Sequence, residues 1–392
     1  MNGSMTTKKP APDKEPPKKK KSFLQRMLTL LLVAVFVLGA AALTTMEDGK
    51  HFTALRRWLM YGEGSATKDV YSYAPNTANR YGTLGDSLLV VSPNSAQLLQ
   101  DDGSIIYDLS IQTTNPQLSI GKNLAAVCDV GGGTVYLLDG TGIQRTLRKE
   151  GELCYYSARL NSSDYLAVIE QKNGYKASAA VYDSAGELLF SFDSYDNYLS
   201  DAIVTADGRY LTAVSLEPDN GIFASCLRVY DLLNGELKSS TSIRDGLVLE
   251  LAANGRRILS LCDKRFTITT MEGEILLDQA YGNLYLNDCA LGGKDFCALL
   301  LGRYQAGNIS TLMTYDMNGK AIASLDLTEE VLDISAAGSC LAVLFDESLV
   351  VYDRELTERA RLEDTNYAAQ VRVQDDGSVL MISGASAWSF LP

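Results

Sequence analysis

Between Gly85 and Pro392, short runs of Val, Leu, Ile and Ala alternate with polar, glycine-marked breaks, and the alternation itself repeats. Strongly apolar runs such as Leu88-Leu89-Val90-Val91, Leu211-Thr212-Ala213-Val214 and Leu341-Ala342-Val343-Leu344 each follow a turn signal. Those signals are Gly85, Gly121, Ser163-Asp164, Gly208, Gly255, Gly293, Gly338 and Gly377. Runs this short, bounded by glycine, predict strands buried on both faces.

A second series runs in the same register. Strand ends align on Gln100, Asp139, Asp183, Asp231, Thr270, Asp316, Asp353 and Ser389, spaced 39, 44, 48, 39, 46, 37 and 36 residues apart. In six of these a glycine follows within three or four positions, as in Val181-Tyr182-Asp183-Ser184-Ala185-Gly186, and marks a hairpin turn. Periods near 40 residues predict propeller blades of four strands, with turns between first and second and between third and fourth. The last repeat stops one strand short. The segment Asp69-Val70-Tyr71-Ser72-Tyr73 is placed to supply the missing outer strand and so remove an open sheet edge. The expectation is an all-β chain whose propeller spans residues 69–392, with eight blades favoured and seven as the alternative.

These repeats resemble the broad WD40-like and quinoprotein-like β-propeller superfamily. Together with the Lys-rich residues 1–26 and the uncharged stretch Met27 to Met46 ahead of them, the chain looks like a family of unknown function, single-pass membrane-anchored propeller proteins from Gram-positive anaerobes. Tyr-Asp or less replaces the Trp-Asp pair of strict WD40 repeats. The Trp-rich docking motifs of quinoprotein dehydrogenases are missing, since the tryptophans are Trp58 and Trp388. The likeness therefore implies a fold and not an activity.

Ahead of the repeats the pattern changes. Residues 1–26 are rich in Lys and Pro, carry +6, and predict a disordered basic tail. Met27 to Met46 carries no charge and is long enough to cross a bilayer as one helix. The basic flank then places the N-terminus in the cytoplasm and the propeller outside the cell membrane. A cleaved signal peptide is the alternative, with Ala40-Ala41-Ala42 offering small residues for processing, and it exports the propeller equally. Residues 47–68 predict an amphipathic juxtamembrane stalk, with Phe52, Leu55, Trp58 and Leu59 on one face.

Composition narrows the chemistry. The chain carries −13, which leaves −19 beyond the +6 tail, a balance that repels nucleic acid. The single histidine, His51, lies in the stalk, so no Ser-His-Asp, Cys-His or His-based zinc arrangement can be built in the propeller. Seven cysteines lack paired spacing and read as small buried hydrophobes, with Cys289–Cys297 the one pair on neighbouring strands that could bond. Gly131-Gly132-Gly133 precedes a strand rather than a helix, against a phosphate loop. Most Tyr-Asp aspartates sit at turns, where they cap backbone donors. No catalytic, cofactor-binding or metal-ligating residues are expected. Two carboxylates in the central channel would suffice for glycan cleavage, so a hydrolase or lyase stays open beside a sensory ectodomain.

Loop length points to a face. From first turn to third-strand anchor the repeats run 15, 18, 20, 23, 15, 23, 15 and 12 residues, so the connections between second and third strands swell in repeats three, four and six. These connections share a face with the crossovers between blades, where Tyr195-Asp196-Asn197-Tyr198, Tyr281-Gly282-Asn283 and Thr365-Asn366-Tyr367 lie. Tyr175, Tyr198, Asn220, Arg303, Tyr304 and Tyr367 are the candidate binding residues. The expected function is a non-enzymatic binding or scaffold module for envelope or membrane proteins or other cell-envelope ligands.

Overall fold

A computed structural model describes residues 71–100, 102–219, 222–304 and 307–392. The expected tail, membrane helix and stalk, together with Asp69, Val70 and Asn220, lie outside the described residues. Among the described residues, eight antiparallel sheets of four strands are present. Seven are consecutive in sequence: blade 1 at 80–110, blade 2 at 116–148, blade 3 at 155–194, blade 4 at 198–243, blade 5 at 248–280, blade 6 at 285–327 and blade 7 at 331–363. Blade 8 takes three strands from the C-terminus, Gln370–Val373, Val379–Ile382 and Ser386–Phe390. Its fourth strand is Tyr71–Ser72, with Tyr71 opposite Ala387 and Ser72 opposite Ser386. Eight blades and the N-terminal closure are thereby settled.

The apolar pattern follows from how a blade is packed. Second and third strands, such as Ala125–Asp129 and Ser348–Tyr352, are buried along their whole length, whereas fourth strands such as Ile105–Ser110 alternate toward solvent. Each of eight apolar clusters lies between two adjacent blades. The ring therefore has no single core, and each blade depends on both neighbours. The cluster between blades 8 and 1 joins Tyr71 and Tyr73 to Leu88, Val90, Leu99, Leu380 and Ile382.

Both turn series lie where the spacing puts them, and the exceptions are informative. Asp164 takes the left-handed conformation at φ +63° where most repeats place glycine, and Leu356 does so at +58° in the seventh repeat's second turn. The Tyr-Asp aspartates do cap turns. The Asp183 carboxylate accepts from the backbone N–H of Ala185 and Glu187, and that of Asp316 from Asn318 and Lys320. All seven cysteines are free thiols, so Cys289 and Cys297 are not joined.

Candidate functional site: the loop face and the ring of inner strands

Of the five candidates among the described residues, Tyr175 and Tyr198 lie in one region of the loop face, each against its own neighbours. The connection of blade 3 and the crossover into blade 4 meet so that the Tyr175 and Tyr195 rings lie 4.3 Å apart at 48°, with the Tyr195 hydroxyl donating to that of Tyr175 at 3.0 Å. The Lys172 ammonium sits 5.2 Å from the Tyr175 ring and pairs with Asp193 at 2.7 Å. That bond from Lys172, seconded by Ser178, holds the Asp193 carboxyl below its ordinary range. Lys176 lies 5.0 Å from the Tyr198 ring. Tyr195 and Tyr198 remain 66 % and 47 % exposed, so two cations and three tyrosines form an open, pre-organised patch.

A long hairpin rises beside this patch. Strands Tyr210–Asp219 and Ile222–Asp231 pair along their full length, three residues past the point at which the pairing of their sheet neighbours stops. Glu217 ties the hairpin to the crossover through Asn197 at 3.5 Å and is itself held by Arg228 at 2.7 Å. Phe223, near the tip, is 61 % exposed. Lys176, Tyr195 and Phe223 were not among the sequence candidates. Only the length of the blade 4 connection signalled the hairpin.

The other candidates stand apart. Arg303 and the exposed Tyr304 occupy the connection of blade 6, two blades round the ring. Tyr367 lies in the crossover from blade 7 to blade 8, 94 % exposed and at φ +62°. The five described candidates do not form one site. Two crossover residues are structural instead: Tyr281 is buried and donates to the Cys262 carbonyl at 3.1 Å, and buried Thr365 donates to the Asp346 carbonyl at 2.9 Å.

Around the centre, the inner strands of blades 3 to 7 each carry a bulge after their first or second residue. The residue after the bulge is Ser157, Asp201, Glu250, Asp288 or Asp333. An innermost strand has no further partner in its own sheet, and side chains of the preceding blade supply acceptors to its free N–H groups. Asp288 accepts from Ile334 N at 2.9 Å, Asp333 from Val371 N at 2.7 Å and Arg372 Nη1 at 2.9 Å, and Ser119 from Leu160 N at 2.9 Å. Arg159 binds Asp201 at 3.2 Å and reaches the Leu251 carbonyl at 2.8 Å, linking blades 3, 4 and 5.

Burial, followed by the neighbouring Asp333 charge, pushes the Asp288 carboxyl up to about 6. Burial raises Asp333 as well, against the opposing charge of Arg372. The sign of the linkage follows. The folded chain keeps a proton on Asp288 that the unfolded chain, titrating near ~3.9, has released. Stability therefore rises as pH falls from about 7 to about 4, by on the order of 2 kcal/mol from this group. In urea titrations, the wild-type unfolding free energy is expected to increase between about pH 7 and about pH 5, and the increase to shrink in Asp288→Ala. An equal increase in the variant would remove Asp288 as its source.

Residues 64–386 match the family of unknown function DUF5711, and the chain belongs to that family. No curated protein matches it. Among solved structures, the computationally designed protein Ika8 is similar over 83% of this chain and 100% of its own, at TM-score 0.59 and 11% identity. BamB from Moraxella catarrhalis aligns over 83% of this chain and 97% of its own, at TM-score 0.53 and 12% identity. The C-terminal WD40 domain of Sif2 aligns over 84% and 98%, at TM-score 0.53 and 13% identity. At these identities the likeness establishes the β-propeller fold.

Proposed function

We propose that this member of a family without an assigned activity is a non-enzymatic binding or scaffold module, held at the membrane by residues 27–46 with its propeller outside the cell. The observation that carries the reading is the patch of Tyr175, Tyr195 and Tyr198 with Lys172 and Lys176, backed by the projecting hairpin of Phe223. Rigid tyrosines give contact area at low entropic cost, and the ammonium groups suit a partner rich in carboxylates or backbone carbonyls. An envelope or membrane protein is the partner class. The uncharged span and its basic flank support the placement.

A photo-crosslinking residue at position 195 of the full-length chain, in cells, tests this directly. An adduct is expected from position 195 and not from position 206, in the turn on the opposite face. Joint replacement of Tyr175 and Tyr198 by Ala should reduce the adduct about tenfold or more, with the thermal transition unchanged, as for loss of a hot spot. Replacement of Arg303 and Tyr304 should reduce it far less, because they lie two blades away. Equal adducts from both faces would overturn the assignment.

A second reading, carboxylate-based glycan cleavage, has one favourable observation, the neighbouring Asp288 and Asp333 with raised affinities for protons. Against it, both Asp288 oxygens already accept backbone N–H groups, of Cys289 at 2.8 Å and Ile334 at 2.9 Å. Turnover of a glycan panel that disappears in Asp333→Asn would establish this reading over the first.

A further inference from the structure

At the seam where the N-terminal strand closes the ring, a cavity of about 400 Å³ opens on the loop face. One wall is the crossover from blade 8 into blade 1, with Tyr73, Asn76 and Asn79, and the other is blade 1, with Ser95, Gln97 and Asp108. Its size falls in the ~300–1,000 Å³ range of small-molecule sites.

The lining has a definite chemistry. It offers hydroxyls, side-chain amides and one carboxylate, and no lysine or arginine. Gln97 Nε2 donates to Asp108 Oδ2 at 3.4 Å, and among the described residues Gln97 Oε1 and Asp108 Oδ1 have no partner. Asn76 spends its carbonyl oxygen on Ala78 N at 2.9 Å and keeps its amide donors. Asn79 is 4 % exposed; its amide donates to the Ala74 carbonyl at 3.1 Å, and its Oδ1 has no partner. Pro75 and Val90 add apolar surface.

An anionic ligand would meet an unpaired carboxylate and no cation. A purely apolar one would leave the buried Asn79 Oδ1 unpaired, at a cost of about 1–3 kcal/mol, and would cover the solvated polar atoms of Gln97 and Asp108 without replacing their water. A ligand whose hydroxyls both donate and accept satisfies the whole set, its C–H face resting on Pro75 and Val90.

We propose that the seam cavity is a binding site for a neutral carbohydrate of mono- or disaccharide size, with Asp108 and Gln97 accepting from its hydroxyls and Asn76 donating. The site goes beyond the tyrosine patch and is independent of it. Because the crossover wall is fixed by Tyr73, which binds Ala385, Ser383 and Ser386 of blade 8, the ligand favours the closed ring. Occupancy then stabilises closure by linkage.

Isothermal titration and thermal unfolding of the full-length chain with maltose, cellobiose and N,N′-diacetylchitobiose test the proposal, with inorganic phosphate and calcium chloride as charged probes. At least one sugar should bind saturably at one site and raise the transition temperature. Asp108→Asn and Gln97→Ala should each weaken that binding by about tenfold, the equivalent of ~1.4 kcal/mol, while the ligand-free transition stays in place. Tyr195→Ala should leave sugar binding intact, which separates failure of this site from failure of the patch. Saturation by none of the sugars, saturation by calcium or phosphate in their place, or sugar binding indifferent to both variants would each overturn it.

Discussion

Tyr73→Ala is expected to lower the unfolding free energy of the propeller by about 3–5 kcal/mol, as for other large buried aromatic truncations. The effect is large because one side chain secures the one strand that, among the described residues, is out of sequence order in the ring. Tyr73 is buried, packs against Tyr81 at a ring distance of 5.4 Å, and places its hydroxyl 2.8 Å from the carbonyls of both Ser383 and Ser386. Its backbone N–H continues the pairing to Ala385 at 3.1 Å. The substitution keeps that backbone bond and removes the side chain that fixes it, and among the described residues Tyr71 and Ser72 are the strand that covers the edge of Ser386–Phe390. Tyr73→Phe keeps the ring and loses the hydroxyl, so about 1 kcal/mol is expected there.

In a Trp58→Phe background, Trp388 makes the measurement local. It is fully buried in the strand that the clasp covers, and its fluorescence reports blade 8. Urea titration should give a lowered midpoint for Tyr73→Ala, with self-association on size exclusion as the uncovered edge finds another copy. A wild-type midpoint in Tyr73→Ala would show that closure does not rest on this residue.

The clasp was legible in the sequence because an incomplete last repeat demands a strand from elsewhere. The second and third strands were legible too, since burial on both faces writes them as unbroken apolar runs such as Leu341-Ala342-Val343-Leu344. Fourth strands such as Glu358–Glu363 carry a half-polar pattern, and only the interval between repeats implied them.

The loop face was legible in length and not in contact. Nothing in the order of residues says that Tyr175 stacks on Tyr195 while Tyr281 turns inward to the Cys262 carbonyl, because both outcomes depend on how two blades meet. The recurring Asp201, Glu250, Asp288 and Asp333 did carry a signal, the same place in successive repeats, but the bulges that define that place become visible only from strand register. The seam cavity had none: its lining comes from one stretch, residues 72–108, and only the way the crossover folds beside blade 1 brings Asn76 and Asn79 opposite Gln97 and Asp108.

Asp164→Gly poses a sharper question, because it restores the residue that most other repeats use. If backbone strain governs this turn, glycine should stabilise the protein by up to about 1 kcal/mol, since φ +63° costs it nothing. The carboxylate argues the opposite. Asp164 is 6 % exposed and accepts from Asn123 N at 3.0 Å, Asn123 Nδ2 at 2.9 Å and Leu124 N at 3.2 Å, so it fastens the first turn of blade 2 to that of blade 3. The fit is close enough that a Cβ on Gly121 would stand 2.3 Å from Asp164 Oδ1. Hydrogen bonds to a charged acceptor contribute about 1.5–3 kcal/mol each where water is excluded, and these are only part-buried. The net expectation for Asp164→Gly is therefore a loss of about 2–3 kcal/mol after the backbone gain is subtracted. Asp164→Asn tolerates the left-handed conformation and keeps one acceptor, so about half that loss should follow. Denaturant midpoints for the two variants decide between the terms. A glycine variant as stable as the wild type would mean that the third repeat's departure from glycine is incidental, and that the carboxylate does not hold blades 2 and 3 together.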